Sequence, residues 1–343
     1  MKIAVYGATG FTGGFAVAEL HRRGIDLALA GRDGARLRAV ADGLGISTPD
    51  IRVAGLGDAD ALAAAFAGCA AVVNAAGPFD RWGEPVVRAA LAAGCHYVDT
   101  SGEQRHIHRT FERFGPEAAA AGVTIVPAMT DDGGPGDLIA ALTAARLPAV
   151  DELTVADLRL TGGISRGTAR SMAGAADEPA LDYRDGAWHP ADDVPPRSLA
   201  VPGEPDAVRV TGFALPGVVT VPRHVRARRV RGAIRAEVAD LLTAVTPEVV
   251  ETIPATVDEE NRAARWLMLA EAGAPDGTRA RGWVTGTDCY RLTGVIAVEA
   301  ARRLAAGDAP PGALAPAQAF DPADFLDFLT AEDVVWRLET LAV

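Results

Sequence analysis

The sequence predicts an α/β fold in which a doubly wound parallel sheet is followed by an α+β domain with a mixed or antiparallel sheet. Two observations lead to this fold class. Short apolar runs alternate with helical stretches through residues 3–126, and later the pattern changes to longer strands joined by turns. A chain of 343 residues is also long enough for two domains. We therefore expect a first domain over 1–129, completed by helices of 289–343, and a substrate or dimerisation domain over 130–288.

The first domain is predicted from six apolar runs separated by stretches with helical spacing. The predicted strands are 3–6, 26–30, 51–54, 70–74, 96–99 and 123–126, and the predicted helices are 11–23, 36–44, 60–66, 85–93 and 116–121. Parallel neighbours require a crossover connection, and a helix in each gap supplies one. The order of elements therefore predicts a parallel sheet covered by helices.

The second part of the chain has fewer helical stretches and clearer turn signals. The predicted elements are a strand at 152–160, a long loop or lid at 177–205, strands at 265–271 and 280–285, a helix at 293–305, a linker at 309–319 and helices at 322–329 and 331–338. The sequence Ala-Pro-Asp-Gly at 274–277 predicts a hairpin turn between two antiparallel strands. We expect the C-terminal helices to return to the first domain.

Composition disfavours several classes of function. The net charge of −12 argues against a nucleic-acid partner, because phosphate binding requires a basic surface. No apolar run reaches the roughly 18 residues of a membrane span and no signal peptide is recognised, so we expect a cytoplasmic protein.

Cys69, Cys95 and Cys289 lack metal spacing, which predicts reduced, buried thiols and no metal. Lys2, the single lysine, opens the first strand, so lysine-dependent catalysis is disfavoured.

The strongest local signal is Gly-Ala-Thr-Gly-Phe-Thr-Gly at 7–13, between the first strand and the first helix. Gly7 permits a tight turn, Gly10 lets the backbone approach a pyrophosphate, and Gly13 lets the helix pack close to the sheet. The N–H groups and partial positive charge of the helix N-terminus favour an anion there. In this context the motif predicts a Rossmann-type dinucleotide-binding unit, although its first gap is one residue longer than in the commonest form.

The end of the second predicted strand indicates which dinucleotide is preferred. NAD-binding chains usually have an acidic residue there to hold the ribose hydroxyls, whereas this chain has Gly31 and Arg32. A guanidinium pairs with a 2′-phosphate, so we expect NADP(H) and regard NAD as less favoured. The alternative interpretation is that Arg32 is solvated and Asp33 holds the ribose.

A longer segment carries a family resemblance. Residues 72–103 read VVNAAGPFDRWGEPVVRAALAAGCHYVDTSGE, and their Gly-Pro-aromatic turn, Gly-Glu-Pro-Val-Val run and His-Tyr-Val-Asp-x-Ser-Gly-Glu run strongly resemble the saccharopine dehydrogenase-like family. PAMTDDGGPGDL at 127–138 and GGISRGTARS at 162–171 are similar to two further stretches of that family. The resemblance implies an NADP-dependent oxidoreductase related to saccharopine reductases and trans-acting enoyl reductases, and it does not imply a particular substrate.

Motif positions and the expected sheet bring a set of residues near the cofactor. Asn74 ends the fourth strand, at the edge where doubly wound sheets bind ligands, and Gly77 and Pro78 shape a turn that can approach the nucleotide. The predicted cofactor-binding residues are Gly7, Thr9, Gly10, Phe11, Thr12, Arg32, Asn74, Ala76, Gly77, Pro78, Phe79 and Ser101.

The expected reaction is hydride transfer from NADPH to a C=N or C=C bond of a small metabolite, which leaves an atom that needs a proton. Tyr97 and Asp99 lie two apart on a strand and therefore share a face. The predicted proton donors are Tyr97, Asp99 and Glu103, then Asp132 beside Asp131, and Tyr290, which we expect to reach from the second domain.

Two other functions stay open at this point. Gly-Ile-Ser-Arg-Gly at 163–167 fits the nucleophile elbow of serine hydrolases, with Ser165 as the nucleophile. A non-enzymatic NADP-binding sensor or regulator would share the glycine turn. A large second domain favours the enzyme, because a sensor needs no substrate cleft.

Two clusters of basic side chains can be interpreted either as surface groups or as binding groups. His106 and His108 are expected on the surface of a helix, where side chains two apart diverge, so they predict no metal site. The arginines within VPRHVRARRVRG at 221–232 form either a solvated face or a wall that binds a carboxylate-bearing substrate or a partner subunit. We expect a homodimer through the second domain.

Overall fold

Strands and helices alternate as far as Val126 in the computed structural model, which describes residues 1–159, 163–175, 179–191 and 196–341. These elements are β1 (Lys2–Tyr6), α1 (Phe11–Arg22), β2 (Asp26–Gly31), α2 (Gly34–Gly43), β3 (Asp50–Val53), α3 (Ala59–Phe66), β4 (Ala71–Asn74), α4 (Phe79–Ala92), β5 (His96–Asp99), α5 (Gln104–Ala121) and β6 (Thr124–Val126). Helices α4 and α5 begin well before Pro85 and Pro116, where the sequence interpretation started them.

The remainder of the chain forms longer strands and mostly shorter helices. They are α6 (Gly134–Ala144), β7 (Val150–Asp157), α7 (Arg166–Ala175), β8 (Leu181–Arg184), β9 (Ala187–Pro190), β10 (Arg197–Leu199), β11 (Val208–Gly212), α8 (Gly217–Thr220), β12 (Ala227–Arg235), α9 (Ala236–Thr243), α10 (Pro247–Val250), α11 (Glu259–Arg262), β13 (Trp266–Gly273), β14 (Arg279–Gly286), α12 (Cys289–Ala306), β15 (Gly312–Ala313), α13 (Pro316–Ala319), α14 (Pro322–Leu329) and β16 (Val335–Leu341). Short 3₁₀ turns lie at Val221–Arg223 and Thr330–Glu332.

Contacts divide the chain into two units. The first unit consists of Met1–Ser101, His106–Asp131 and Tyr290–Leu314, and the second consists of Gly102–Arg105, Asp132–Cys289 and the residues from Ala315 onward. The sequence interpretation assigned all of 289–343 to the first domain. The part from Ala315 onward differs from that expectation because β16 pairs with β14 of the second unit.

The first unit contains a parallel sheet whose strand order, among the residues described, is β15-β6-β5-β4-β1-β2-β3. This order confirms the predicted doubly wound Rossmann sheet, and β15 adds an edge strand beside β6. Ile3 and Val5 of β1 and Val72 and Val73 of β4 are fully buried, as expected for central strands covered on both faces. Strands β2 and β3 lie on one side of β1, and β4, β5 and β6 lie on the other side. The strand order therefore reverses between β1 and β4, and this fold binds ligands in the crevice at the carboxyl ends of those two strands.

The second unit contains a mixed sheet in the order β10-β11-β12-β7-β13-β14-β16, with β8 beside β12 and β9 beside β8 in the described part of the chain. The β7–β12 pair is parallel and the others are antiparallel. Ala156, Leu199, Val210 and Leu269 belong to a buried cluster that packs this sheet. The predicted α+β domain with a mixed sheet is therefore confirmed.

Three assignments from the sequence are wrong. The predicted loop at 177–205 contains the β8–β9 hairpin and β10, although 177–178 and 192–195 lie outside the described residues. The predicted linker at 309–319 contains β15 and α13, and the predicted helix at 331–338 is largely the strand β16. Apart from β16, these strands are two to four residues long, which is too short to show the apolar alternation that identifies a strand.

Other features bear on location and chemistry. No helix among the described residues is long and apolar enough to cross a membrane. Within the same ranges, no three His, Cys, Asp or Glu side chains form a group that could hold a metal ion. Cys69 and Cys95 are buried and Cys289 is partly exposed. Burial raises the pKa of the Cys95 thiol to about 11, so it is unreactive at neutral pH.

Candidate functional site

The glycine turn after β1 leaves no room for side chains at two positions. Gly7 has φ +84°, and a Cβ there would lie 2.9 Å from the carbonyl carbon of Ala75. A Cβ on Gly13 would lie 2.2 Å from the carbonyl oxygen of Gly7. The first turn of α1 therefore packs directly onto the backbone that leaves β1, and Gly10 caps α1 without a side-chain hydrogen bond. The first N–H groups of a helix have no acceptor within the helix, so the N-terminus of α1 is a position where an anion can bind.

A second loop, after β4, lies against the glycine turn and is shaped by Asn74. The Asn74 side chain is fully buried. Its Oδ1 accepts a hydrogen bond from the Ala76 N–H at 3.1 Å, and its Nδ2 donates to the Tyr97 hydroxyl at 3.0 Å. Asn74 therefore fixes the loop after β4 by linking its backbone to Tyr97 of β5.

Asp99, at the end of β5, accepts four hydrogen bonds and is fully buried. Its Oδ2 accepts from the Tyr97 hydroxyl at 3.0 Å and from His106 Nε2 at 2.8 Å. Its Oδ1 accepts from the N–H groups of Ser101 at 3.1 Å and Ala128 at 2.9 Å. Both carboxylate oxygens are thereby occupied, and the group joins the backbone after β5 to the backbone after β6. We call Asn74, Tyr97, Asp99 and His106 the Asp99 cluster.

The predicted pairing of Tyr97 with Asp99 is present, but its geometry favours a structural role. Burial, and then the adjacent Asp99 charge, raise the pKa of the Tyr97 phenol well above its ordinary value. Its proton is donated to Asp99, and its side chain is fully buried. Neither group is therefore well suited to protonate a substrate.

His106 was expected on the surface, and this prediction is wrong, because only 2% of the residue is exposed. The ring fits beside α4 because Gly83 has no side chain; a Cβ there would lie 2.2 Å from His106 Cε1. Phe79 packs on the same ring with centroids 5.6 Å apart. The sequence interpretation missed this contact because no local pattern links Gly83 to a residue on α5.

Gly83→Ala is expected to destabilise the protein by about 1–3 kcal/mol, because the new methyl group displaces the His106 ring from Asp99. Urea unfolding measures the change. Gly43→Ala is the matched control, since its Cβ meets nothing within 4 Å in α2. A double variant that also carries His106→Ala should show less than the sum of the two single effects. Equal stability of Gly83→Ala and the parent would contradict the packing described.

Other predicted cofactor residues divide by exposure. Thr9, Gly10, Phe11, Thr12, Ala76, Gly77 and Pro78 are exposed or partly exposed on the two loops. Asn74, Phe79 and Ser101 are buried. The first group can contact a nucleotide directly, and the second supports the loops.

Two arginines follow β2: Arg32 comes directly after the strand, and Arg36 lies in the first turn of α2. Arg32 is exposed, and the Asp33 carboxylate accepts from the Arg36 N–H at 3.1 Å as the N-cap of α2. The cap gives Asp33 a structural partner, which weakens the alternative that it holds the ribose. Arg36 also donates to the Thr9 carbonyl at 3.4 Å, so it lies beside the glycine turn. The sequence interpretation missed Arg36, which four-residue spacing from Arg32 could have indicated.

Tyr290 belongs to the first unit, so the expectation that it reaches from the second domain is wrong. Helix α12 begins at Cys289, earlier than predicted, which puts Tyr290 in its first turn. The ring packs against Phe11 with centroids 4.9 Å apart. A Cβ on Gly294 would lie 2.9 Å from the backbone of Phe15, so α12 crosses α1 at close range. Tyr290 therefore flanks the glycine turn.

Comparison with known proteins identifies the domain that carries this turn. Residues 3–126 match the family described as saccharopine dehydrogenase NADP binding domain. This segment is therefore similar to the NADP-binding domains of that family. The predicted cofactor, NADP(H), is that of this family.

Relatives of the NADP-binding domain occur in longer proteins. A putative trans-acting enoyl reductase of Mycobacterium tuberculosis is 38% identical over 179 residues, which cover 50% of this chain and 43% of the relative. The lipid droplet localized protein of Caenorhabditis elegans is 35% identical over 146 residues, which cover 40% of this chain and 34% of that protein. The chain thus matches less than half the length of these curated relatives.

A solved structure shares the fold of the whole chain. Saccharopine dehydrogenase (L-Glu forming) of Saccharomyces cerevisiae matches with a TM-score of 0.64 at 15% identity, covering 99% of this chain and 100% of that chain. At this identity the likeness shows a common fold.

The second unit contains the remaining candidates, Glu103 and Asp132. Glu103 is buried and Asp132 partly exposed. A Cβ on Gly102 would lie 3.8 Å from Asp132 Oδ2, which brings the segment Gly102–Arg105 next to this carboxylate. The neighbouring Gln104 donates to the Leu215 carbonyl at 2.9 Å, and this bond fixes the segment.

Asp137, the last acid of the stretch at 127–138, has a structural role in the same unit. It is fully buried; its Oδ1 bonds His224 Nε2 at 2.9 Å and its Oδ2 accepts from the Ala317 N–H at 2.8 Å. Burial lowers the pKa of His224, but the charge and hydrogen bond of Asp137 outweigh burial and raise that pKa above its ordinary value. The pair joins α6 to the neighbouring 3₁₀ turn and to α13.

Ser165 has the geometry of a helix cap. It is buried, and its Oγ accepts from the Thr168 N–H at 3.2 Å while its carbonyl accepts from the Ala169 N–H at 2.9 Å. A nucleophile elbow instead exposes its serine at the end of a strand. The capping role accounts for the motif at 163–167.

Proposed function

We propose that this chain is an NADPH-dependent reductase that transfers a hydride to a C=C or C=N bond of a small metabolite. The observation that carries the proposal is the glycine turn, where a Cβ on Gly7 or Gly13 would collide with backbone. Such a turn brings the uncapped N-terminus of α1 to the carboxyl end of β1, where a pyrophosphate fits. NADPH, when bound, supplies the hydride.

Residues of two loops are proposed to hold the cofactor. The N–H groups at the start of α1 bind the pyrophosphate, and Ala76, Gly77 and Pro78 line the nicotinamide side of the crevice. The Asp99 cluster fixes the backbone that supports these loops. Asn74 accepts a hydrogen bond from the Ala76 N–H, and Asp99 accepts from the N–H groups that follow β5 and β6. Rigid loops keep the nicotinamide oriented for transfer.

Proton delivery is proposed for a group other than Tyr97 or Asp99, since these two bond one another in a buried site. Glu103 and Asp132 stay the proposed donors. Glu103 is buried and Asp132 is partly exposed, and a carboxyl group is one of the side chains that can donate a proton to a reacting atom. Turnover and NADPH affinity are measured for Glu103→Gln and for Asp132→Asn. The variant that loses turnover while its NADPH affinity is unchanged identifies the proton donor.

C=C reduction is the favoured form of the proposal. The curated relatives named trans-acting enoyl reductase support it. The likeness to saccharopine dehydrogenase concerns the fold alone at 15% identity, so it gives less support to C=N reduction. Enoyl thioesters and cyclic imines, tested side by side for NADPH oxidation, distinguish the two. Tight NADPH binding without oxidation by either class would favour the sensor.

NADPH should be preferred over NADH because Arg32 and Arg36 flank the site of a 2′-phosphate. Arg32→Ala is expected to weaken NADPH binding by about 10- to 100-fold and to leave NADH binding unchanged. Fluorescence titration with both nucleotides measures this, and exposed Arg38, on the same helix, provides the control Arg38→Ala. Unchanged NADPH affinity would remove Arg32 from the site, and no response to either nucleotide would refute the proposed function.

We further propose that the protein is a cytoplasmic homodimer with a biosynthetic role. β16 is the last strand of the second sheet, and its Val335 is 44% exposed, which suits an edge that another chain covers. Reduced thiols at Cys69 and Cys95 agree with a reducing compartment. Sedimentation equilibrium tests the dimer, and a monomer at micromolar concentration would exclude it.

A further inference from the structure

A cavity of about 160 Å³ in the second unit has Arg197 and Arg231 among its lining residues. Asp182 and Thr154 also belong to its polar lining. The apolar wall includes Leu181, Val210 and Phe213. A pocket of this composition offers charged groups to a polar ligand atom and apolar side chains to the hydrocarbon part of the same ligand.

Strand register explains why the two guanidinium groups converge. Arg231 of β12 is the partner of Thr154 in the parallel β7–β12 pair, so both side chains project from the same face of the sheet. Arg197 of β10 donates to Thr154 Oγ1 at 2.5 Å. The Thr154 hydroxyl therefore lies between two cationic groups that arrive from different strands.

Among the described residues that line this pocket, two arginines, Arg197 and Arg231, face one carboxylate, that of Asp182. Arg231 Nε is buried and has no hydrogen-bond partner in the described part of the chain. The Asp182 carboxylate is 4.0 Å from that nitrogen and lies closer to Arg229, at 3.3 Å. Burial lowers the pKa of Arg231, and the charges of Arg229 and Arg197 act in the same direction, against Glu152 and Asp182. Among the described residues, the charges of Arg229, Arg197, Glu152 and Asp182 therefore all act on the Arg231 guanidinium.

We propose that this pocket binds a small organic carboxylate between Arg231 and Arg197. A carboxylate can accept hydrogen bonds from both guanidinium groups, and its negative charge is attracted to theirs. Its short hydrocarbon part packs against Val210 and Phe213. The cavity volume of about 160 Å³ suits a ligand with a short hydrocarbon part.

Calorimetric titration of the full chain with butyrate, without nucleotide, tests the proposal. Saturable binding is expected, and butyramide, which has the same shape without the charge, should bind at least about tenfold more weakly. Arg231→Met and Arg197→Met should each reduce butyrate affinity by about tenfold or more. Arg197 is exposed, so its replacement leaves the fold intact even if Arg231→Met does not.

The matched control is Arg228→Met on the same strand. Arg228 is exposed and pairs with Asp151 at 2.7 Å, and it does not line the cavity, so butyrate affinity should be unchanged. Equal binding of butyrate and butyramide, no saturable binding of butyrate, or equal losses in Arg197→Met and Arg228→Met would each overturn the proposal. NADPH affinity is measured separately and tests the proposed function alone, so the two failures are distinguishable.

Discussion

Gly13→Ala is expected to abolish NADPH binding in the micromolar range, a loss of about 100-fold or more. The new Cβ would lie 2.2 Å from the carbonyl oxygen of Gly7 and 2.9 Å from its carbonyl carbon. Both atoms are backbone, so the collision can be relieved only by moving α1 away from β1. That movement removes the N–H groups from the pyrophosphate position. Calorimetric titration with NADPH measures the loss.

Gly14→Ala provides the control for this variant, because it lies one residue further along the same helix. A Cβ there meets nothing within 4 Å. Alanine in a helix is favoured over glycine by about 0.5–1 kcal/mol, so this variant should be slightly more stable and bind NADPH as the parent does. Equal NADPH affinity of the two variants would mean that the close contact at Gly13 does not position the nucleotide.

Asp99→Ala is expected to destabilise the first unit by about 3–5 kcal/mol. Removing the carboxylate leaves the Tyr97 hydroxyl, His106 Nε2 and two backbone N–H groups without their acceptor in a buried site. Urea unfolding of this variant and of Asp99→Asn measures the effect. Asparagine should cost less, since its one oxygen can still accept from backbone N–H groups.

Tyr97→Phe separates structure from catalysis within the Asp99 cluster. It removes one of the four donors, so a loss of about 1 kcal/mol with unchanged turnover is expected. If turnover fell by orders of magnitude while the free energy of unfolding changed little, Tyr97 would be the proton donor and the structural assignment of the cluster would be wrong.

The first sheet was predictable from the sequence because its strands are buried on both faces. Each is a short apolar run followed by a helix, and the six predicted strands were found within one or two residues. Helix starts were less predictable, since Pro85 and Pro116 resemble first-turn prolines but lie inside α4 and α5. The strand β16 was missed although apolar Trp336 and Leu338 alternate with charged Arg337 and Glu339, as expected of an edge strand with one exposed face.

Candidate site residues were predictable only where local geometry decides their contacts. The two-residue spacing of Tyr97 and Asp99 on β5 indicates a shared face, and their hydrogen bond follows from it. The ring of His106 reaches the same carboxylate because of Gly83 on another helix. That dependence involves packing between elements, which sequence spacing does not encode. The position of Tyr290 was missed for the same reason, as it depends on the crossing of α12 over α1.

The return of residues 290–314 to the first unit has a consequence for biosynthesis of the protein. Glu299 of α12 receives an ion pair from Arg23 at 2.7 Å, and β15 completes the sheet beside β6. A nascent chain that has emerged only as far as residue 131 still lacks the helix that covers α1. The ribosome must therefore translate the entire intervening region before α12 and β15 can join the first unit, although the first strand of that unit is made at once.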